Sequence, residues 1–216
     1  MAEVIATTVS DSEISSEIDL DLSAVPKNIR GRVKRDVGEY LVEQTLLSLG
    51  ESKTPVSGAG FKKTLSKEYK KEKVAAGRSG VADLEFEGDL KDSFTFKSTD
   101  SGIKIGHFGK EAPKADGHNN FSGKSELPER RYLPKEGESY KRNIQSEIDK
   151  IVQDAIVSEV PISENKLKSV ETKTDFWSLL MSTYEGLTRV EIRDAVSRNE
   201  SFVQTLIALD LLKWLK

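Results

Sequence analysis

The chain of 216 residues offers two histidines, His107 and His118, and no cysteine. A zinc or iron centre needs imidazole or thiolate ligands with carboxylates at ligand spacing. Asp116-Gly117-His118, followed by Asn119 and Asn120, comes nearest to that pattern. The same residue types make polar loops that bond to their own backbone, and that reading is preferred here. Ser57-Gly58-Ala59-Gly60-Phe61-Lys62-Lys63-Thr64 has the glycines and lysines of a phosphate-binding loop. However, no glycine there is followed directly by Lys-Ser/Thr and no apolar strand precedes it, so it reads as a glycine turn ahead of a basic helix. A Gly-x-Ser-x-Gly nucleophile elbow is absent. Carboxylates are plentiful, but no pair stands out for acid–base work. The expectation is a protein without catalytic residues, metal or cofactor, and not an enzyme.

The 33 basic and 36 acidic residues leave a formal net charge of −3, which hides an uneven distribution. Residues 1–25 carry six acids and no base, whereas residues 26–78 carry 13 bases and six acids. Such an acidic arm beside a basic block suits masking, docking between subunits, or contact with nucleic acid. Apolar residues make up 36% of the chain, a small core for its length. That points to extended segments or to burial supplied by partner subunits. No apolar run approaches the ~20 residues that span a bilayer, so no membrane partner is expected. An N-terminus without Lys or Arg before Lys27, and without an apolar core, does not read as a secretory signal.

Elements able to position these residues follow from periodicity. Residues 1–25 read as an acidic flexible arm. Ile29, Val33, Val37, Tyr40 and Leu41 form one apolar stripe of a helix that Gly50 would cap, and Gly38 would permit close packing. Residues 64–76 form a basic helix with Leu65, Tyr69 and Val74 on its apolar side. Leu84, Phe86 and Leu90 flank a turn at Gly88. Phe94–Lys97 and Ile103–Gly106 alternate as strands about an Asp100-Ser101-Gly102 hairpin. Residues 107–137 read as a long irregular loop in which Tyr132 and Leu133 supply a short closing strand. Tyr140, Ile144, Ile148, Ile151, Val152, Ala155 and Ile156 mark a long closing helix. Residues 161–173 read as a linker and 174–216 as a helical unit. In that unit Thr188/Glu191 and Ser197/Glu200 have capping-box spacing, and one final helix runs to Leu215. The fold class is α+β: a small antiparallel sheet with a long N-terminal helix, a long closing helix and an all-helical C-terminal extension.

Several of these segments carry a family likeness. The basic helix reads Leu65-Ser66-Lys67-Glu68-Tyr69-Lys70-Lys71-Glu72-Lys73, and Gly88-Asp89-Leu90-Lys91-Asp92-Ser93-Phe94 leads into the hairpin. After the hairpin come Ala115-Asp116-Gly117-His118-Asn119-Asn120-Phe121-Ser122-Gly123 and Leu127-Pro128-Glu129-Arg130-Arg131-Tyr132-Leu133-Pro134. Over about residues 28–158 the chain resembles the virion-morphogenesis proteins of tailed bacteriophages, the neck or tail-completion proteins of the head–tail junction. In that family the loop reads roughly His-x-x-Gly and then Pro-x-Arg-x-Phe-(Leu/Ile). Tyr132 and Leu133 stand where its aromatic–aliphatic pair is usual.

The resemblance implies a structural protein that assembles into a ring, a hexamer or dodecamer. Such a ring would join the portal or adaptor to the tail and line the DNA path. The protein would be made in the bacterial host cytoplasm and end in the virion. Under this reading His118, Asn119, Asn120, Phe121, Arg130, Arg131, Tyr132 and Leu133 meet neighbouring subunits. Arg30, Lys34, Arg35, Lys62, Lys63, Lys70 and Lys71 face acidic partners or DNA, weakly and without sequence preference. The alternative is a nucleic-acid-binding accessory protein. It rests on Glu191–Trp214, which looks like the helical part of a winged-helix unit, although no dense Arg/Lys face accompanies it.

Overall fold

A computed structural model describes residues 3–61, 65–81, 89–159 and 162–215. The expected turn around Gly88 and the side chains of Lys62 and Lys63 lie outside these residues. The fold class is α+β, with an antiparallel sheet in the order β1-β2-β4-β3. β1 (Glu3–Ser10) and β2 (Glu13–Asp19) form a hairpin about Asp11 and Ser12. The expected flexible arm is therefore corrected, since its residues are sheet. Ile14, Ser16 and Ile18 of β2 turn one way and are buried, and Glu13, Glu17 and Asp19 alternate with them. Glu13 and Glu17 close on Lys104 at 3.6 and 3.8 Å, so the acids pair across the sheet instead of forming a free acidic segment.

α1 (Arg30–Gly50) follows a short 3-10 turn at Lys27–Ile29. Its end is made by Ser52, in the left-handed region at φ 56°, and not by Gly50. α2 (Lys67–Ala75) is capped by the Ser66 hydroxyl, which accepts from Tyr69 N. Its expected apolar side is reversed. Tyr69 and Val74 are 40% and 55% exposed, whereas Lys73 is 2% exposed and donates to Val81 O. The one-turn α3 (Asp89–Asp92) leads into β3 (Phe94–Ser98), and β4 (Gly102–Phe108) returns as the sequence predicts. The loop expected at 107–137 instead opens with α4 (Ala112–Asn119). Tyr132 and Leu133 are buried coil, not a strand.

α5 (Arg142–Glu159) is the closing helix, and α6 (Glu164–Lys168) occupies the expected linker, with Ile162 and Leu167 buried. α7 (Lys173–Thr183) and α8 (Arg189–Arg198) both carry capping boxes, at Thr172/Asp175 and at the expected Thr188/Glu191. The next cap is Asn199, which accepts from Phe202 N, and not Ser197. The single final helix is likewise corrected. Asp210, at φ 56°, divides it into α9 (Glu200–Ala208) and α10 (Leu212–Leu215). That break lets Leu206, Leu211 and Leu215 all be buried while Ile207 remains 51% exposed.

The chain divides into two compact units with boundaries unlike the expected ones. The first is Met1–Asp21 with Lys34–Ser146, and the second is Leu22–Val33 with Glu147–Lys216. In the first, α1 lies against the sheet at Gly38, where a Cβ would fall 2.3 Å from the Phe96 ring. Ile14, Ile18, Val37, Leu41, Ile103, Ile105 and Ile144 are buried there. The second buries Val25, Ile148, Ile156, Phe176, Leu180, Ile192, Val196 and Leu206. Its Trp177 indole donates to Trp214 O at 3.1 Å, and the Phe176 and Trp214 rings lie 6.0 Å apart. Among the described residues no helix is long and apolar enough to cross a membrane.

Candidate assembly interface

The two halves of the His118–Leu133 segment are tied together by Asn119. This side chain is fully buried at the end of α4. Its Oδ1 accepts from Tyr132 N (2.9 Å) and Leu133 N (3.0 Å), and its Nδ2 donates to Ala115 O (3.0 Å). Both polar atoms are thus used to satisfy backbone groups that burial would otherwise leave unpaired. Asp116 Oδ1 accepts from Phe121 N and Ser122 N, and Asn120 Oδ1 accepts from Ser125 N. Asn120 itself caps α4 in the left-handed conformation. The segment is therefore a polar loop bonded to its own backbone. Among the described residues no cluster of three or more His, Asp or Glu could hold a metal ion.

Beneath the loop lies a buried relay. Tyr132 OH meets His107 Nε2 at 2.7 Å, and Ser93 Oγ meets His107 Nδ1 at 2.8 Å. The Ser93 hydroxyl donates to Leu90 O at 3.1 Å. The imidazole must then donate through Nδ1 and accept the Tyr132 proton at Nε2, which fixes a neutral tautomer. Phe94 packs on both rings, 5.3 Å from His107 and 5.8 Å from Tyr132. Burial pushes His107 down to about 4 and holds the Tyr132 phenol well above its ordinary value. A serine–histidine–tyrosine chain could move protons in an open cleft. Here His107 is 1% exposed and Tyr132 is 1% exposed, so the chain is a satisfied polar knot inside the core. The sequence reading missed this role for His107, because only the fold brings Ser93 and Tyr132 to it.

These contacts correct part of the predicted interface. Asn119, Tyr132 and Leu133 are committed to the chain's own core and present nothing to a neighbour. Arg131 is paired with Glu138 at 3.0 Å and Glu129 at 3.8 Å. Phe121 is half-buried under the Lys135 ammonium, 5.6 Å from its ring. His118 and Arg130 are half-buried, and Arg130 N donates to His118 O. Among the described residues, His118 Nδ1 and Arg130 Nε have no hydrogen-bond partner. Burial, with Arg130 and Lys114 nearby, pushes His118 down to about 4, and burial also lowers Arg130. A groove of about 460 Å³ opens between the Thr54–Phe61 turn and Leu127–Arg131.

The basic residues are divided between the units: Arg30 belongs to the second, and the other described ones belong to the first. Arg30 donates to Val25 O and Ser23 O. Lys34 donates to Thr99 O and Asp100 O, holding the β3–β4 turn. Both ammonium and guanidinium groups are thus engaged by their own backbone. Arg35 is exposed beside Asp36, and Lys70 and Lys71 are exposed on α2. In the second unit Arg198 pairs with Asp154 at 2.6 Å and Arg189 lies over the Trp177 ring. Compared with known proteins, the chain matches no family model, no curated protein and no solved structure.

Proposed function

We propose that the protein is a ring-forming structural component of a tailed-phage virion, a neck or tail-completion connector between head and tail. One observation carries this reading: the order and spacing of the basic helix, the hairpin and the two loop motifs along residues 28–158. The loop architecture supports it. The Asn119 clamp ties the two loop motifs together, with Phe121 and Arg130 half-buried and a groove open beside Leu127. Aromatic and arginine side chains on such a loop are the kind that anchor interfaces. In this reading the partners are other copies of the chain, the portal or adaptor and tail proteins, with sequence-blind DNA contact limited to exposed groups such as Arg35, Lys70 and Lys71. The protein performs no chemical step.

Negative-stain electron microscopy of the purified full-length chain, and of particles that contain it, tests the reading. Rings of uniform diameter, or the chain located at the head–tail junction, are the expected outcome. A chain that stays monomeric at all concentrations and never joins a particle would sink it. Duplex DNA binding with a steep salt dependence and no rings would favour the nucleic-acid reading instead.

A further inference from the structure

Among the described residues the sheet ends in two edges that are largely open. β1 is bonded to β2 on one side, and on the other a single backbone bond reaches it, from Gly137 N to Val4 O at 3.0 Å. Among the described residues nothing else bonds to the outer backbone of Ala6–Ser10, and nothing bonds to that of β3 beyond its pairing with β4. An open edge is a template for another strand, and proteins usually guard it with lysine, proline or a bulge. β1 contains no lysine or proline, and its one irregularity lies between Val4 and Ala6, at the end that Gly137 already covers. Ile5 and Val9 remain 45% and 41% exposed.

Three features say what would pair with this edge. Strand direction alternates across β1-β2-β4-β3, so β1 and β3 run in opposite senses. A second copy set alongside in the same orientation therefore offers its β3 antiparallel to β1, without being turned over. The open stretch Ala6–Ser10 has as many residues as β3. Its alternation fits as well. Thr7 and Val9 lie opposite Ser16 and Ile14, on the sheet face that also carries Phe94 and Phe96. A register with Thr8 near Thr95 or Lys97 keeps like faces together, as period-2 pairing requires.

We propose that β1 of one copy pairs with β3 of the next, joining the sheets head to tail into a continuous belt. A same-sense contact of this kind closes into a ring when its rotation allows. The inference rests on the ring-forming reading and names the edges that build the ring. The absence of cysteine makes disulfide trapping free of background. Full-length Thr8→Cys is mixed with Thr95→Cys or with Lys97→Cys under mild oxidation, and imaged in parallel. Disulfide-linked dimers should form at least tenfold more in one of the mixtures than with any single variant. Double variants should give a ladder of multimers. Efficient cross-linking of Thr8→Cys alone would overturn the proposal, because it would mean β1 against β1. Rings that form without either cross-link would overturn the edge pairing and leave the connector reading intact. Neither rings nor cross-links, in solution or in particles, would overturn both. Thr8→Lys, with unchanged far-ultraviolet circular dichroism, should abolish assembly, and wild-type assembly by that variant would also overturn the edge pairing.

Discussion

Removing the Asn119 side chain strands the N–H groups of Tyr132 and Leu133 inside the core. Each buried donor left unpaired costs roughly 1–3 kcal/mol. Asn119→Ala should therefore destabilise the protein by about 3 kcal/mol or more, read from urea unfolding. Asn119→Asp keeps the acceptor but loses the donation to Ala115 O, so it should retain part of that stability. His107 predicts a pH dependence. Its folded value lies near 4, below the ordinary 6.5, because burial disfavours the imidazolium. Between those values the unfolded chain takes up a proton that the folded chain refuses. The His107 contribution is thus fully present above pH 6.5 and is lost as the pH falls towards 4, on the order of 3 kcal/mol in all. An NMR titration of the His107 ring should show it neutral down to about pH 4, and a midpoint near 6.5 would contradict the buried relay.

α1 carries two glycines in contrasting surroundings. A Cβ on Gly38 would meet the Phe96 ring at 2.3 Å, whereas one on Gly31 meets nothing within 4 Å. Gly38→Ala should cost about 1–3 kcal/mol through overpacking, while Gly31→Ala should be neutral or stabilising by up to ~1 kcal/mol. Thermal melts of both variants, and of Gly38→Ala combined with Phe96→Leu, check this. The combination should recover part of the loss if the ring is the obstacle. Elements with strong local signals were legible in the sequence: α1, the β3–β4 hairpin, α5 and the Thr188/Glu191 box. The N-terminal hairpin was not, although Ile14, Ser16 and Ile18 alternate with acids as a strand should. Its acids read as a solvated arm because their partner, Lys104, is about 90 residues away along the chain. Lys73 misled for a different reason: its acceptor, Val81 O, is only eight residues on, but a lysine in a basic run reads as solvated until the turn after α2 brings that carbonyl to it. Of the candidate interface, residue types located the right loop, but only the fold separates Asn119, Tyr132 and Leu133, turned inward, from His118 and Arg130.

At the scale of the molecule, the net charge of −3 is small, and Lys104 with Glu13 and Glu17 and Arg198 with Asp154 are paired within the chain. Assembly through sheet edges would draw on backbone hydrogen bonds and on the exposed Ile5 and Val9 rather than on charge. Rings held that way should persist at about 1 M salt, where the screening length is about 3 Å. Light scattering across a salt series checks this, and dissolution by a few tenths molar salt would indicate docking between charged surfaces instead. The placement of the two tryptophans has a practical consequence. Both Trp177 and Trp214 belong to the second unit, and the indole of one is bonded to the carbonyl of the other. Intrinsic tryptophan emission is thus an optical probe of the C-terminal helices. Assembly along β1 and β3 would be followed by a dye on a cysteine introduced in the sheet, with the native indole signal as an internal reference for the rest of the chain.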